Sequence, residues 1–305
     1  MKELWTEKYR PKTVSDYVFR DEAQKKQILS WIKEGSIPHL LLSGSPGIGK
    51  TTLAKVLLNE LEIPQYDVLE INASRERGID EVKNNITNFI QMIPFGPFKV
   101  VLLDEADFLT PVAQAAMRGV MEEYSSTSRF ILTCNHPNRI IPAIHSRCQH
   151  MHFHNIDQTE FTARMATILV MENIDFDLDL LDTYVKATFP DLRKCINFVQ
   201  QNINDGILHS PNQNDVGQSD YKIEMVELFK QRKIREARKL LCSKARADEM
   251  EDIFTWLYNN VDLLADSDEA KDQALLIIKQ GLIDHTIIAD PEINLAATLV
   301  KLSRL

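Results

Sequence analysis

The sequence has no long apolar run, and its N-terminus carries no apolar core of a secretory signal. A helix that crosses a bilayer needs roughly 20 predominantly apolar residues, and no run approaches that length. The first residues, Met1 to Trp5, mix charged and apolar side chains, unlike a signal peptide. We therefore expect a cytoplasmic protein with no membrane partner.

Cysteine is scarce and scattered. The four cysteines, Cys134, Cys148, Cys195 and Cys242, lie far apart, and no Cys-x-x-Cys pair occurs. This spacing argues against a zinc module and against a disulfide framework, which small secreted domains use. We expect reduced thiols.

Positive charge is not in excess. With 35 Lys and Arg against 44 Asp and Glu, the net charge is −9. Proteins that bind nucleic acid are usually basic. Any contact with DNA would therefore depend on a local group of basic residues.

The chain is long enough for two or three domains, and its first half alternates strand-like and helix-like patterns. Short runs suited to parallel strands occur at residues 39–43, 67–71, 100–103 and 130–133, and three of them are almost wholly apolar. Helical patterns separate them. Residues 1–156 therefore predict an α/β domain with a doubly wound parallel sheet.

The rest of the chain is helical in pattern. At residues 157–206, Phe161, Met165, Ile168 and Leu169 recur at helical spacing and predict a small helical domain. Residues 207–220 are polar and rich in turn formers, which indicates a linker. A helical C-terminal domain is predicted at 221–305. Its basic run from Lys230 to Lys239 is typical of a solvated face, with nucleic-acid binding as the alternative.

The strongest motif is a phosphate loop at Gly44–Thr51. It matches G-x-x-x-x-G-K-[ST] and lies between an apolar run and a helical stretch, the context that this motif requires. Its backbone N–H groups would cradle phosphates, Lys50 would reach the β- and γ-phosphates, and Thr51 would bind Mg²⁺. The ATP-binding residues predicted here are Gly44, Ser45, Pro46, Gly47, Ile48, Gly49, Lys50, Thr51 and Thr52.

A second group of polar residues follows the apolar run at 100–103. Asp104, Glu105 and Asp107 come directly after it, at the sheet edge where open α/β sheets bind ligands. Asp104 is expected to hold Mg²⁺, and Glu105 to orient or deprotonate the attacking water. For Asp107, a capping or solvated role and a role in the site both stay open.

Six segments together resemble a known family. Asp104–Asp107 with the phosphate loop resembles the AAA+ ATPases. The segments Trp5–Pro11, Asn72–Ile79, Ser146–Cys148 and Phe189–Lys194 resemble motifs of the subunits that load sliding clamps onto DNA. The sequence is thus similar to the replication factor C and phage branch of clamp loaders, and the resemblance implies a helical lid at 157–206 and an oligomerisation collar at 221–305.

Two details refine the resemblance. The cysteine-rich module that the bacterial branch usually inserts is absent, and Pro190 replaces the usual glycine before Asp191. The chain looks most like the large ATPase subunit of a tailed-phage clamp loader. That origin would place it in the host-cell cytoplasm.

The resemblance also implies roles around the nucleotide. Asn135 would sense the γ-phosphate, although an asparagine before His136-Pro137 also suits a plain turn. Arg193 would contact the nucleotide of its own chain. Tyr9, Arg10 and Pro11 would line the adenine pocket, with simple packing of this segment as the alternative.

Arg147 matches the arginine finger of the family. It would enter the nucleotide site of a neighbouring subunit and offset charge on the transferred phosphoryl group. This interpretation requires an oligomer. The alternative is a surface arginine paired with a carboxylate.

DNA contacts are expected at helix N-termini and basic side chains. Residues Arg77, Gly78 and Lys83 form one candidate group. Gln114 and Arg118, four residues apart on one helix face, form the second, with an ordinary solvated face as the alternative.

For clamp binding, the family position points to an apolar segment. Its residues are Phe89, Met92, Ile93 and Phe95. Exposed together, they would form a patch of the kind that marks a partner site. The alternative is that they belong to the core.

The expected function is ATP-driven clamp loading, with ATP and Mg²⁺ as cofactors. The expected partners are a sliding clamp, primer–template DNA, other copies of this chain and a different loader subunit. One alternative is another AAA+ DNA motor, such as a helicase-like protein. The other is a scaffold subunit that does not hydrolyse ATP, which typically loses the catalytic lysine or acids; Lys50, Asp104 and Glu105 are all present.

Overall fold

The computed structural model describes residues 3–75, 79–153, 157–210, 220–245 and 249–305, and it describes no side chains at 79–83 or 220. The chain divides into two compact units. The first unit comprises Met1–Glu172 and Phe189–Gln200, and the second comprises Asn173–Thr188 and Gln201–Leu305. Among the described residues, no helix is both long and apolar enough to cross a membrane. The lid and collar boundaries of the sequence analysis stay a prediction.

A parallel sheet forms the centre of the first unit. Its strand order is β2-β3-β4-β1-β5, and each neighbouring pair is parallel. The strands are β1 (Leu40–Gly44), β2 (Val68–Asn72), β3 (Lys99–Asp104), β4 (Ser128–Cys134) and β5 (Gln149–Phe153). The sequence predicted the first four within one or two residues at each end, but it did not predict β5.

The first unit also contains helices. Those of the first unit are α1 (Trp5–Lys8), α2 (Glu22–Glu34), α3 (Lys50–Glu60), α4 (Ile79–Gln91), α5 (Pro111–Glu123), α6 (Pro142–His145), α7 (Gln158–Met171) and α9 (Leu192–Gln201). The Thr110 hydroxyl caps α5 by accepting a hydrogen bond from Ala113 N at 3.2 Å, and Pro111 occupies the first turn, where both residue types are favoured.

Alternate residues of each strand pack on opposite faces of the sheet. Leu40, Leu42, Val100 and Leu102 share one apolar cluster with α2 and α3. Leu41, Leu103 and Phe130 share the other with α4 and α5. The central strands are therefore buried on both faces, which explains why they contain so few polar residues.

The second unit is mainly helical. Its elements are α8 (Leu178–Thr188), the antiparallel strands β6 (Ile203–Asn204) and β7 (Ile207–Leu208), α10 (Asp220–Lys230), α11 (Ile234–Lys244), α12 (Met250–Asn259), α13 (Asp268–His285) and α14 (Pro291–Leu302). The predicted linker at 207–220 begins too early, because Ile207 and Leu208 pair in this hairpin and Leu208 is buried. Residues 211–219 of that linker lie outside the described residues.

Candidate nucleotide site

The loop between β1 and α3 has the backbone of a phosphate cradle. Gly47 has a φ of 74° and Gly49, the residue before α3, has a φ of 94°. L side chains rarely adopt this conformation. A Cβ at Gly47 would also collide with the Asp191 carboxylate. The glycines therefore allow this path, and the N-terminus of α3 faces the loop as an anion site.

Lys50 is a buried cation at this loop. Its Nζ donates to Gly44 O at 2.8 Å, to Ser45 O at 2.7 Å and to Asn135 Oδ1 at 2.9 Å. Burial lowers the pKa of Lys50 to about 8. Asn135 and Lys50, 85 residues apart, thus lie together, as the sequence analysis expected.

Thr51 and Asp104 also meet. The Thr51 hydroxyl donates to Asp104 Oδ1 at 2.7 Å. A hydroxyl beside a carboxylate suits Mg²⁺, which prefers oxygen ligands and usually takes only one or two carboxylates besides water and substrate phosphates. These two residues therefore fit the metal that the sequence predicted.

Thr133, which the sequence analysis missed, connects the acids at the end of β3. It is 2% exposed. Its hydroxyl donates to Asp104 Oδ1 at 2.6 Å and accepts from Glu105 N at 3.0 Å. Glu105 itself has a φ of 57°. The sequence did contain a signal for this residue, because Thr133 is a polar residue at the end of an otherwise apolar run.

Asp107 supports the neighbouring strand end. One carboxylate oxygen, Oδ2, accepts from His136 N at 3.1 Å. The other, Oδ1, is buried and has no hydrogen-bond partner among the described residues. Asp107 thus holds the backbone directly after Asn135, a capping role of the kind that the sequence analysis left open.

A pocket beside the phosphate loop gathers the residues expected around the adenine base and Arg193, which is expected to contact the nucleotide. Tyr9, Arg10, Pro11 and Arg193 line it together with the segment from Gly47 to Thr52. The lining residues that the sequence analysis missed are Thr6, Tyr17, Val18, Leu192 and Ile196.

Hydrogen bonds fix two walls of this pocket. The buried Tyr17 donates its hydroxyl to Gly49 O at 3.2 Å, and burial raises its pKa well above the ordinary value. Tyr9 donates to Glu172 Oε1 at 2.6 Å. Asp191 accepts from Lys194 N at 2.9 Å and so caps α9, whose first turn carries the pocket residue Arg193.

Arg147 lies away from this pocket, directly after α6. It is partly buried, donates to Ala143 O at 2.7 Å and forms an ion pair with Glu122. It does not line the nucleotide pocket of its own chain. The ion pair is the alternative that the sequence analysis named.

The candidates for DNA contact have different outcomes. Arg77 and Gly78 lie outside the described residues, and for Lys83 only the backbone is described, in α4. Arg118 is exposed on α5. These positions stay candidates for phosphate contact.

Gln114 is a correction. It is 1% exposed, and its amide donates to Leu109 O and Arg139 O while Ile141 N donates to its carbonyl oxygen. A buried carboxamide with three backbone partners cannot reach a duplex. The helical spacing to Arg118 was right, but it does not distinguish the exposed face from the edge of the core.

Three of the four candidate clamp residues are exposed. Met92 is 61%, Ile93 87% and Phe95 83% exposed, and the missed Tyr66, 81% exposed, lies 6.2 Å from Phe95 between ring centroids. Phe89 is partly buried and packs against the core, so it contributes less surface than expected. We name Tyr66, Met92, Ile93 and Phe95 the apolar patch.

A buried ion pair fixes the loop that carries this patch. Asp67 Oδ2 accepts from Phe95 N at 2.8 Å and from Gly96 N at 2.6 Å. Asp67 Oδ1 lies 3.1 Å from Lys99 Nζ, and both side chains are buried. The buried Asp67 therefore holds the backbone of the loop that carries Phe95 of the apolar patch.

The geometry has counterparts among known proteins. Residues 40–155 match the model of the ATPase family associated with various cellular activities (AAA). The replication factor C small subunit of Methanococcus vannielii is 35% identical over 317 aligned residues, which span 99% of both chains. That of Methanocella arvoryzae is 42% identical over 202 residues, 65% of this chain and 62% of the relative, which is less than two thirds of its length.

Solved structures add the fold. The solved structure of the Thermotoga maritima RuvB Holliday junction branch migration motor has a TM-score of 0.56 and 14% identity, covering 76% of this chain and 79% of that one. At this identity the likeness concerns the fold alone.

Proposed function

Since the chain belongs to the replication factor C small-subunit family of AAA ATPases, we propose that it is the ATPase subunit of a DNA sliding-clamp loader. It is an ATP-hydrolysing P-loop enzyme. ATP binding drives assembly with the clamp and with primer–template DNA, and hydrolysis releases the closed clamp.

One observation supports the chemistry most strongly. At the carboxyl edge of the sheet, Lys50 donates a hydrogen bond to Asn135 and Thr51 donates one to Asp104, and Glu105 directly follows Asp104. Lys50 binds the phosphates, and Glu105 orients or deprotonates the water that attacks the γ-phosphate. Mg²⁺, held by Thr51 and Asp104 when bound, offsets the negative charge of the phosphate oxygens.

Two arginines complete the proposed site. Arg193 contacts the nucleotide of its own chain from α9. Arg147 leaves Glu122 and serves a neighbouring subunit, where an arginine finger is worth about 10³–10⁵ in rate. This proposal is supported by the position of Arg147 outside its own pocket.

The partners follow from the surface and from the family. The apolar patch contacts the sliding clamp. Arg118 and the segment with Arg77, Gly78 and Lys83 contact phosphates of primer–template DNA. Other copies of this chain and a different subunit complete the loader. The finer assignment to the large subunit of a phage loader, in the cytoplasm of its host cell, is supported by the Phe189–Lys194 segment.

The test is the steady-state ATPase rate with and without primer–template DNA, a purified sliding clamp and the candidate partner subunit. We expect strong stimulation only with clamp and DNA together, lost in Arg147→Ala. Glu105→Gln should lower turnover by about 10²–10⁴. Stimulation by DNA alone, without regard to the clamp, would instead indicate a helicase-like motor. No hydrolysis under any combination would indicate a scaffold.

A further inference from the structure

A buried threonine connects the two acids of the proposed site. Thr133 lies near the end of β4 and is 2% exposed. Leu103 of β3 pairs with Leu132 of β4, so the next residues along, Asp104 and Thr133, lie side by side. The strand register therefore sets this contact.

The Thr133 hydroxyl makes two hydrogen bonds with opposite roles. It donates its proton to Asp104 Oδ1 at 2.6 Å and accepts from Glu105 N at 3.0 Å. One hydroxyl can do both, because it has one proton and two lone pairs. A single side chain thus holds the carboxylate of one acid and the backbone of the next.

The backbone of Glu105 needs such support. Its φ of 57° lies in the left-handed region, where a residue with a side chain is strained and persists only when its surroundings fix it. The Asp104 carboxylate is held from two sides, since Thr51 donates to the same oxygen at 2.7 Å. Thr51 is itself a proposed metal ligand. Thr133 has no proposed contact with the metal, so its proposed role is to hold Asp104 and Glu105.

We propose that Thr133 is a positioning residue for ATP hydrolysis, which holds Asp104 ready for Mg²⁺ and directs Glu105 towards the attacking water. The inference rests on the roles proposed above for Asp104 and Glu105. Partners that orient a metal ligand typically contribute about 10–100-fold to metal affinity or activity. A purely structural threonine would affect stability and leave the response to Mg²⁺ unchanged.

The experiment compares Thr133→Val and Thr133→Ser in the full chain. Valine keeps the volume and removes the hydroxyl, whereas serine retains it. The first readout is the affinity for ADP by titration calorimetry, with saturating Mg²⁺ and with a chelator. The second is kcat for ATP with clamp and DNA, and the third is the midpoint of thermal unfolding.

In Thr133→Val we expect the Mg²⁺-dependent gain in ADP affinity and kcat each to fall by about 10–100-fold. Affinity in the chelator should not change, and Thr133→Ser should resemble the wild type. The matched control is Ser128→Ala on the same strand, because the buried Ser128 hydroxyl has no hydrogen-bond partner within the described part of the chain. This control should retain both values.

A Thr133→Val protein with wild-type Mg²⁺ response and kcat would overturn the inference. Thr133→Ala guards against a folding artefact: it removes the same hydroxyl but leaves a different volume. If Val and Ala differ in unfolding midpoint but share the loss of Mg²⁺ response, the hydroxyl is responsible. If the loss instead follows the midpoint across the variants, Thr133 is only structural.

Failure of the wider proposal has a different signature. Asp104→Asn and Glu105→Gln serve as references in the same assays. If they still hydrolyse ATP at the wild-type rate, the roles proposed for both acids are wrong. If they lose hydrolysis while Thr133→Val keeps it, only the inference about Thr133 fails.

Discussion

Tyr9 illustrates how single side chains set the shape of the nucleotide pocket. Its ring lines the pocket. Its hydroxyl donates to Glu172, which also accepts from Lys8 Nζ at 2.7 Å, and its carbonyl oxygen accepts from Arg164 at 3.0 Å. Two hydrogen bonds, one to Arg164 in α7 and one to Glu172 directly after it, thus hold Tyr9 in place.

Loss of the Glu172 carboxylate should weaken nucleotide binding without slowing the chemistry. In Glu172→Ala we expect KM for ATP to rise about fivefold, equivalent to about 1 kcal/mol, with kcat unchanged. Tyr9→Phe should reproduce this result, because it removes the same hydrogen bond. Lys8→Met, which leaves that bond intact, is the matched control, and the measurement is ATPase kinetics over a range of ATP concentrations. An equal fall of kcat in Glu172→Ala would contradict a role in ground-state positioning.

Residues with a fixed motif could be predicted from the sequence, and residues that support them could not. The phosphate loop and Asp104 belong to a pattern with a local chemical reason. Thr133 and Tyr17 act through tertiary contacts, and a hydroxyl in a run of apolar residues does not reveal its partner. Gln114 was misassigned for the same reason.

At the scale of elements, strands that are buried on both faces could be predicted from the sequence, and the edge strand could not. Four runs predicted strands, whereas β5 was missed. It lies at the edge of the sheet and, within the described parts of the chain, pairs with β1 alone. From His150 to Phe153 its sequence alternates polar and apolar residues. An apolar run indicates a central strand that is covered on both faces, whereas an edge strand does not need that pattern.

One residue of the basic run in the second unit, Lys230, contacts a neighbouring helix. Lys230, at the end of α10, lies 2.7 Å from Asp182 Oδ2 and donates to Thr183 Oγ1 at 2.8 Å, both in α8. Burial raises the pKa of Asp182, but hydrogen bonds from Lys230 and Lys186 outweigh it, so that the net pKa is below the ordinary 3.8. Lys230 thus joins two helices within this unit.

We expect Lys230→Met to lower the free energy of unfolding by about 1 kcal/mol at pH 7. Because the pKa of Asp182 is lowered by folding, its stabilising contribution is complete above about pH 3.8 and is lost as the pH falls through the folded value. The difference from the wild type should therefore shrink at pH 3. Denaturant unfolding at both pH values measures it, with the exposed Lys239→Met as control. A difference independent of pH would show that the aliphatic stem of Lys230, and not its charge, joins the helices.

At the scale of the whole molecule, the proposed site is shared between chains, and two inactive variants should therefore complement each other. Glu105→Gln lacks the water-orienting acid but keeps Arg147. Arg147→Ala lacks the proposed arginine finger but keeps Glu105. Mixed in equal amounts with clamp and DNA, they should recover about a quarter of the wild-type ATPase rate, because each interface draws its two members at random.

The control for this experiment is each variant alone at the same total concentration, which should stay inactive. Arg193→Ala offers a contrast, since Arg193 is expected to serve its own chain. Mixed with Glu105→Gln, it should recover nothing, because no interface then has a complete acceptor site. Recovery there, or none with Arg147→Ala, would contradict the division of roles.

The pairing of β5 with β1 has a consequence for assembly. Gly44, where the phosphate loop begins, pairs with Phe153 at the carboxyl end of β5, whereas Gln149 pairs with Leu40 at the amino end. Arg147 precedes Gln149 by two residues. Arg147 therefore lies at the amino end of the strands, whereas the phosphate loop lies at their carboxyl end. A two-fold dimer joins the same surface of both subunits, so it does not bring the amino end of one sheet against the carboxyl end of the other. If Arg147 completes a neighbouring site as proposed, the subunits would join head to tail in one direction. One end of an open row would then keep a nucleotide site that no arginine from a neighbour completes.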